Sequence, residues 1–372
     1  MSLRRAAPCA MLLGLALLSS GCPQPTNVTY SLSNTVDLLA PSFYAGAASD
    51  GSNVAGRQAF VGQSSHDGET VAFWAVNTAT KHFSFFLVDV DDPTSYRRIT
   101  PDYYDAHPNT AICWTPDDSA ILVSAFRIEI PAPGALSGLE SWPIHGVVPS
   151  DVSTTALSHG NWEIAQHRNG DSIQIVALPI LSDGSEDPWR LPIFLTDFAD
   201  GTLDPDWVAV SWDCKRVAFA DMQSDDCGVE PDVANVYVLK NIDDILDAPH
   251  KPGTNISVFA PTHASDGNLE PIRVSDSAQF AEAPAFSQDG KLVLYCQDFN
   301  NLFNDDFFYE TLSLSGFDLM ISNANGSGED FRIALPGNQV FPSSIPGTSR
   351  IVYSGTSGGA MHLFAATLET SP

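Results

Sequence analysis

The sequence predicts an all-β protein assembled from repeated four-stranded antiparallel sheets, and three observations carry that prediction. The apolar runs Leu292–Cys296 and Phe317–Ile321 are short, rich in strand formers and unbroken by alternation, so both faces of their sheet are covered. Tight turns separate the runs: Gln288-Asp289-Gly290 precedes the first, and Asn325-Gly326, a pair suited to φ > 0 at both turn positions, follows the second. The same unit, extended piece, Asp-containing turn and apolar strand, recurs along the chain.

The first copy has its turn at Ser65-His66-Asp67-Gly68, followed by Thr70–Trp74, Phe85–Asp89 and Arg97–Thr100. The second turns at Trp114-Thr115-Pro116-Asp117-Asp118, with Asp118 in the glycine position, and continues through Ala120–Val123. A degraded third copy turns at Leu157-Ser158-His159-Gly160 before Trp162–Ala165 and Ile173–Ala177. The fourth turns at Ser211-Trp212-Asp213-Cys214 and supplies Arg216–Phe219 and Asn235–Leu239. The fifth spans Ala283–Leu335, and the sixth runs from Pro342 through Arg350–Tyr353 and His362–Ala365. The turn positions Asp67, Asp117, Gly160, Asp213, Asp289 and Gly347 lie 50, 43, 53, 76 and 58 residues apart. Pro271–Val274 is read as part of an elaborated fourth copy, and residues 298–316 as an insertion in the fifth.

Pro284, Ser287, Asp289, Gly290 and Lys291, then Asp318-Leu319, then Asn323-Ala324-Asn325-Gly326-Ser327, resemble the blade repeat of TolB-like, WD-repeat-like β-propellers. The resemblance covers most of residues 56–368 and implies a six-bladed β-propeller of four-stranded antiparallel blades. The last copy runs out of chain after Leu368, before its outer strand. Val28–Leu39 has strand composition and no blade of its own, so the last blade is expected to be closed by this N-terminal strand. TolB carries a whole α/β domain ahead of its propeller; only residues 22–55 stand between Cys22 and the first blade here, which sets the chain apart from TolB itself. The expected organisation is a signal peptide over 1–21, a tether and ring-closing strand over 22–55, and the propeller over 56–372.

Arg4 and Arg5 followed by the apolar stretch Ala10–Leu18 make a targeting segment, too short to span a bilayer. Leu18-Ser19-Ser20-Gly21-Cys22 resembles a bacterial lipoprotein signal, with Ser19 where the family usually has Leu. The resemblance implies lipidation at Cys22. Pro23 is not the Asp of the known inner-membrane retention signal, so the expected location is the cell envelope, on the periplasmic face of the outer membrane. Without Arg4 and Arg5 the net charge falls from −28 to −30. Such a chain repels nucleic acid and anionic headgroups and favours cationic partners.

Four cysteines remain beyond Cys22: Cys113, Cys214, Cys227 and Cys296. An exported chain permits disulfides. Cys214 and Cys227 are nearest in sequence, but a strand of about six residues between them separates its ends by roughly 20 Å, so only a folded-back loop would join them. No CxxC pair suggests zinc.

Gly355-Thr356-Ser357-Gly358-Gly359 fits the G-x-S-x-G pattern of a hydrolase nucleophile. A strand follows it where a helix is required, and no Asp lies downstream, so it is read as a blade hairpin. The hydrolase domain that prolyl-oligopeptidase-type enzymes join to a propeller is not present in this sequence. Asp89-Asp91-Asp92, Asp225-Asp226 and Asp305-Asp306 lack the alternating spacing of a calcium loop and are read as solvated turns. No metal ligand set and no cofactor is assigned.

Asp206 and Glu282 stand seven residues before the turn aspartates Asp213 and Asp289, with His107 slightly earlier in its own blade. These three are the candidate binding residues at one mouth of the channel. The sequence therefore points to a monomeric, lipid-anchored, non-catalytic module for a protein or peptide partner with a basic segment. The alternative is a propeller enzyme, of the polysaccharide lyase or lactonase type, with a metal at the channel mouth.

Overall fold

A computed structural model describes residues 28–45, 56–102, 111–123, 126–138, 140–141, 152–155, 161–169, 172–185, 187, 189–190, 192–196, 198, 203, 205–223, 233–246, 271–275, 279–303, 312 and 315–371. The chain begins with strand β1 (Thr29–Asp37) and a short helix α1 (Pro41–Tyr44). Blade 1 is β2 (Arg57–Ser64), β3 (Thr70–Asn77), β4 (Phe83–Asp89) and β5 (Asp92–Arg98). Blade 2 is β6 (Ile112–Trp114), β7 (Ala120–Val123), β8 (Phe126–Glu129) and β9 (Glu140–Ser141). Blade 3 is β10 (Val152–Thr155), β11 (Trp162–Asn169), β12 (Ser172–Pro179) and β13 (Ile193–Phe194). Blade 4 is β14 (Pro205–Val210), β15 (Arg216–Gln223), β16 (Val233–Lys240) and, after helix α2 (Ile242–Leu246), β17 (Ile272–Arg273). Blade 5 is β18 (Ala281–Phe286), β19 (Leu292–Asp298), β20 (Phe317–Asn323) and β21 (Phe331–Ile333). Blade 6 is β22 (Gln339–Ser344), β23 (Arg350–Ser357) and β24 (Ala360–Ser371), with β1 on its outer edge. The protein is a six-bladed, all-β propeller of antiparallel blades.

The hairpin turns between first and second strands follow one local recipe. Ser65, Thr115, Ser211 and Ser287 each donate their hydroxyl to the aspartate two residues on, Asp67, Asp117, Asp213 and Asp289, at 2.6–3.0 Å. That aspartate accepts the backbone N–H two residues further on, from Glu69, Ser119, Lys215 and Lys291. The next position is left-handed in all four turns: Gly68, Asp118, Cys214 and Gly290, with φ of 77°, 56°, 57° and 66°. Glycine adopts this conformation freely, and an L-residue there costs about 1 kcal/mol. For Asp117, Asp213 and Asp289, burial pushes the carboxyl up, but the hydrogen bonds they accept outweigh it and hold each below the usual carboxylate range.

Ring closure follows the expectation from Val28–Leu39. β1 pairs antiparallel with β24 from Thr29↔Ser371 to Asp37↔Phe364. The chain then drives Leu38, Leu39 and Phe43 into one cluster with Phe73, Phe86 and Tyr96 of blade 1 and Val352, Leu363 and Ala365 of blade 6. The segment thus fastens the last blade to the first. His362 Nδ1 lies 2.7 Å from Asp37 Oδ2, and the Tyr44 hydroxyl donates to Asp37 Oδ1 at 2.9 Å. Burial and then the charge of Asp37 push the Tyr44 hydroxyl well up, so it stays a donor. Its ring stacks on His362 at 3.6 Å.

Other expectations resolve simply. Pro271–Val274 supplies β17, paired to β16 through Tyr237↔Arg273, so the fourth blade is elaborated as read. Gly355–Gly359 lies in the β23–β24 hairpin, closed at Ser357↔Ala360. Cys22, His107, Cys227, Asp225-Asp226, Asp305-Asp306 and the turn at 157–160 lie outside the described residues, and with Cys227 so does its pairing with Cys214.

Candidate functional site

The inner strands β2, β6, β14, β18 and β22 run from one mouth of the ring, called here the entry mouth, towards the hairpin turns at the other, the turn mouth. Asp206 and Glu282 occupy matching register positions near the entry end of neighbouring strands: Asp206 pairs with Ala220, and Glu282 with Cys296. In both strands the ladder breaks at the next residue, and pairing resumes at Ala209↔Ala218 and Ala285↔Leu294. The break is a β-bulge with a left-handed residue, Trp207 (φ 47°) or Ala283 (φ 51°). β2 and β22 carry the same bulge at Val61 (φ 50°) and Phe341 (φ 55°).

These four bulges build the interior of the ring. Val61, Trp207, Ala283 and Phe341 are all buried and line a cavity of about 70 Å³. Trp207 stacks on Phe341 at 5.0 Å with an interplanar angle of 23°. The channel therefore carries an aromatic plug between its two mouths.

The two entry-side carboxylates differ in their surroundings. Asp206 is half-buried, and its Oδ1 accepts the N–H of Trp207 at 2.8 Å. Glu282 is 1% exposed and lies beside Cys296, whose thiol is pushed well up by burial and further by the Glu282 charge. The two residues named together from sequence thus share a register but not an exposure: Asp206 reaches solvent and Glu282 does not.

At the turn mouth a second constellation joins four blades. His66 Nδ1 lies 2.7 Å from Asp118 Oδ1, and the His66 backbone N–H donates to the same carboxylate. The His66 ring meets Trp212 edge-on at 6.0 Å, and Trp212 Nε1–H donates to Ser344 Oγ at 2.8 Å. Sequence reading did not single these residues out. The signal was available: His66 and Trp212 both hold the second place of their Ser-x-Asp turns, so the repeat aims both at the axis. A lateral cavity of about 200 Å³ between blades 1 and 2 is lined by Asp67, Asp89, Arg97, Trp114 and Asp118 among others.

The class of protein that this architecture defines is a β-propeller with an internally plugged channel. No protein-family model matches the sequence, and no curated protein is significantly similar to it. Solved structures align with the chain at low identity. A TolB from Acinetobacter baumannii aligns with TM-score 0.47 and 14% identity over 82% of this chain and 66% of its own. A putative TolB from Agrobacterium tumefaciens aligns with TM-score 0.44 and 13% identity, over 74% and 94%. An oligogalacturonate lyase in complex with manganese aligns with TM-score 0.42 and 12% identity, over 92% and 96%.

Proposed function

We propose that the chain is a non-catalytic protein- or peptide-binding module of the bacterial envelope, held to the membrane through Cys22 on the periplasmic face of the outer membrane. The observation that carries this reading is the plug. Pockets for small ligands usually measure about 300–1,000 Å³. The axial cavity of about 70 Å³ and the lateral one of about 200 Å³ both fall short of that. What the entry mouth offers is a surface on which a segment of another chain rests, with Asp206 as its solvent-reaching carboxylate and a basic side chain as the complement. His107 and Glu282 belong to the same proposal, Glu282 as a buried carboxyl behind the surface.

Site-specific photo-crosslinking in the native envelope tests this. A crosslinker at position 206 is expected to capture a protein adduct that a crosslinker at the exposed hairpin residue Ser357 does not. Adducts that appear equally at both positions, or at neither, overturn it.

A further inference from the structure

We infer that the turn face of the propeller rests on a zwitterionic lipid surface, with Trp189 as its contact on the rim opposite the anchor. The inference rests on the reading of Cys22 as the lipid attachment. It adds which face meets the bilayer and which side chain touches it.

The path of the N-terminus sets the face. The Leu368 N–H bonds to the Ser349 carbonyl, so Leu368 stands level with the β22–β23 turn. β1 and β24 continue past that level as a two-stranded ribbon, with Ser31 opposite Glu369 and Thr29 opposite Ser371. Three residues of strand project roughly 10 Å. The chain therefore reaches β1 from beyond the turn face. Cys22 precedes Thr29 by seven residues, whose contour is at most roughly 25 Å. An acyl chain at Cys22 holds this face close to the bilayer.

Blade 3, opposite blade 6 in a six-membered ring, carries the second observation on the same face. Its loop after β12 lies against the blade 2 turn, where the Asp117 N–H bonds to the Ser182 carbonyl. From that loop Trp189 projects with 88% of its surface exposed, and Leu181 with 44%. The backbone that carries the indole is pinned on both sides of Trp189. Asp187 Oδ1 accepts the Trp189 N–H at 2.9 Å, and Asp187 Oδ2 accepts Arg190 Nε–H at 2.7 Å. Arg190 also donates to the carbonyls of Asn161 and Ile180, and its guanidinium lies 4.6 Å from the Trp162 ring. An exposed indole suits the headgroup layer, where tryptophan's apolar body and N–H are both satisfied. The class of lipid follows from charge. Asp213 and Asp289 are ion-paired with Arg216 and Lys291 in their own turns, so repulsion of anionic headgroups falls to Asp67, Asp117 and Asp183 on or around this face, and zwitterionic headgroups meet none. The entry mouth, with Asp206, then points away from the membrane and stays open to a partner.

The test uses the chain from residue 22 onward, tethered by an N-terminal histidine tag to nickel-chelating vesicles of phosphatidylethanolamine and brominated phosphatidylcholine. Tethering this way makes the readout independent of native lipidation. Tryptophan emission is expected to be quenched in the parent, and Trp189→Phe is expected to lose most of that quenching while melting at the same temperature. Phosphatidylglycerol in the vesicles is expected to weaken the effect. Absence of quenching in the parent, or equal quenching in Trp189→Phe, overturns the inference. Mass spectrometry of the native N-terminus decides the anchor separately. A lipidated Cys22 with an unquenched Trp189 sinks this inference alone, whereas an unlipidated Cys22 removes the anchor and overturns both.

Discussion

Trp207 of blade 4 and Phe341 of blade 6 stack at 5.0 Å inside the ring, each from a left-handed bulge residue with φ of 47° and 55°. Two blades that are not neighbours thus meet through side chains that a strained backbone turns inward. The strain, about 1 kcal/mol at each residue, is offset by burial of two large aromatic surfaces. Truncating either ring opens a cavity at the axis. Phe341→Ala is expected to destabilise the fold by about 3–5 kcal/mol, measured as a fall in denaturant midpoint. A loss below about 1 kcal/mol would mean that the interior collapses around the truncated ring and the stack does little to hold the fold.

The N-terminal clasp is the second test of how the ring is held. Residues 28–39 supply the outer strand of blade 6 and bury Leu38 and Leu39 between blades 6 and 1. Removing them exposes the edge of β24 and uncovers that cluster. The truncated chain is expected to lose several kcal/mol, a large share of the about 5–15 kcal/mol typical of folded domains. His362→Ala removes the partner of Asp37 and the ring stacked on Tyr44, and is expected to give a smaller loss of the same sign. A truncation melting at the temperature of the parent would show that blade 6 closes without β1.

The turn aspartates make a pH prediction with a definite sign. Hydrogen bonds outweigh burial and hold Asp117, Asp213 and Asp289 below the unfolded carboxylate value of about 3.9. A carboxyl depressed in the folded state contributes stability that is fully present above the unfolded value and is lost as pH falls through the folded one. Ser211→Ala and Ser287→Ala each remove one of those bonds. Both are expected to lower the melting temperature at neutral pH and to converge on the parent at acid pH. These groups are largely solvated, so each effect stays within about 1 kcal/mol. A deficit that persists unchanged at pH 3 would assign the loss to the turn backbone.

Glu163 gives the opposite sign. It is 1% exposed, neither carboxyl oxygen has a hydrogen-bond partner among the described residues, and burial pushes its pKa well up. The folded state therefore holds a proton that the unfolded chain releases above about 4.3. Stability from this group is greatest below that pH and declines as pH rises towards the folded value. Glu163→Gln is expected to stabilise at pH 8 relative to the parent, with the gain shrinking towards pH 4. Equal melting differences at both pH values would refute the burial argument.

How much of this was legible in the sequence depends on how local each cause is. The blades were readable because the Ser-x-Asp turn is closed by side chains two residues apart, so Asp67, Asp213 and Asp289 announce it without tertiary help. Asp118 and Cys214 obscured the glycine position, yet the turn persisted because the Thr115–Asp117 and Ser211–Asp213 bonds remain. The bulges left no mark. Val61, Trp207, Ala283 and Phe341 share no residue type, and their left-handed backbone comes from packing at the ring centre. For the same reason the matching register of Asp206 and Glu282 could be counted from the turns, but their exposure could not. Glu282 lies between Phe280 and Ala283, both members of the interior cluster, and is sealed by it.

That difference in exposure decides the last prediction. The sequence carries a net charge of −28, and Asp206 is half-buried at the entry mouth while Glu282 is closed off. A partner approaching with a Lys- or Arg-rich segment feels the whole field at long range and a solvent-reaching carboxylate at short range. Steering acts on the association rate, so Asp206→Asn is expected to slow association more than it speeds dissociation. Glu282→Gln changes a buried carboxyl behind the surface, and its first effect is expected on the melting temperature. Raising salt beyond about 0.1 M, where the Debye length falls below about 10 Å, should slow association for the parent more than for Asp206→Asn. Stopped-flow mixing with the partner captured at position 206, at two ionic strengths, measures both. An association rate indifferent to salt and to Asp206→Asn would leave the acidity a property of solubility alone.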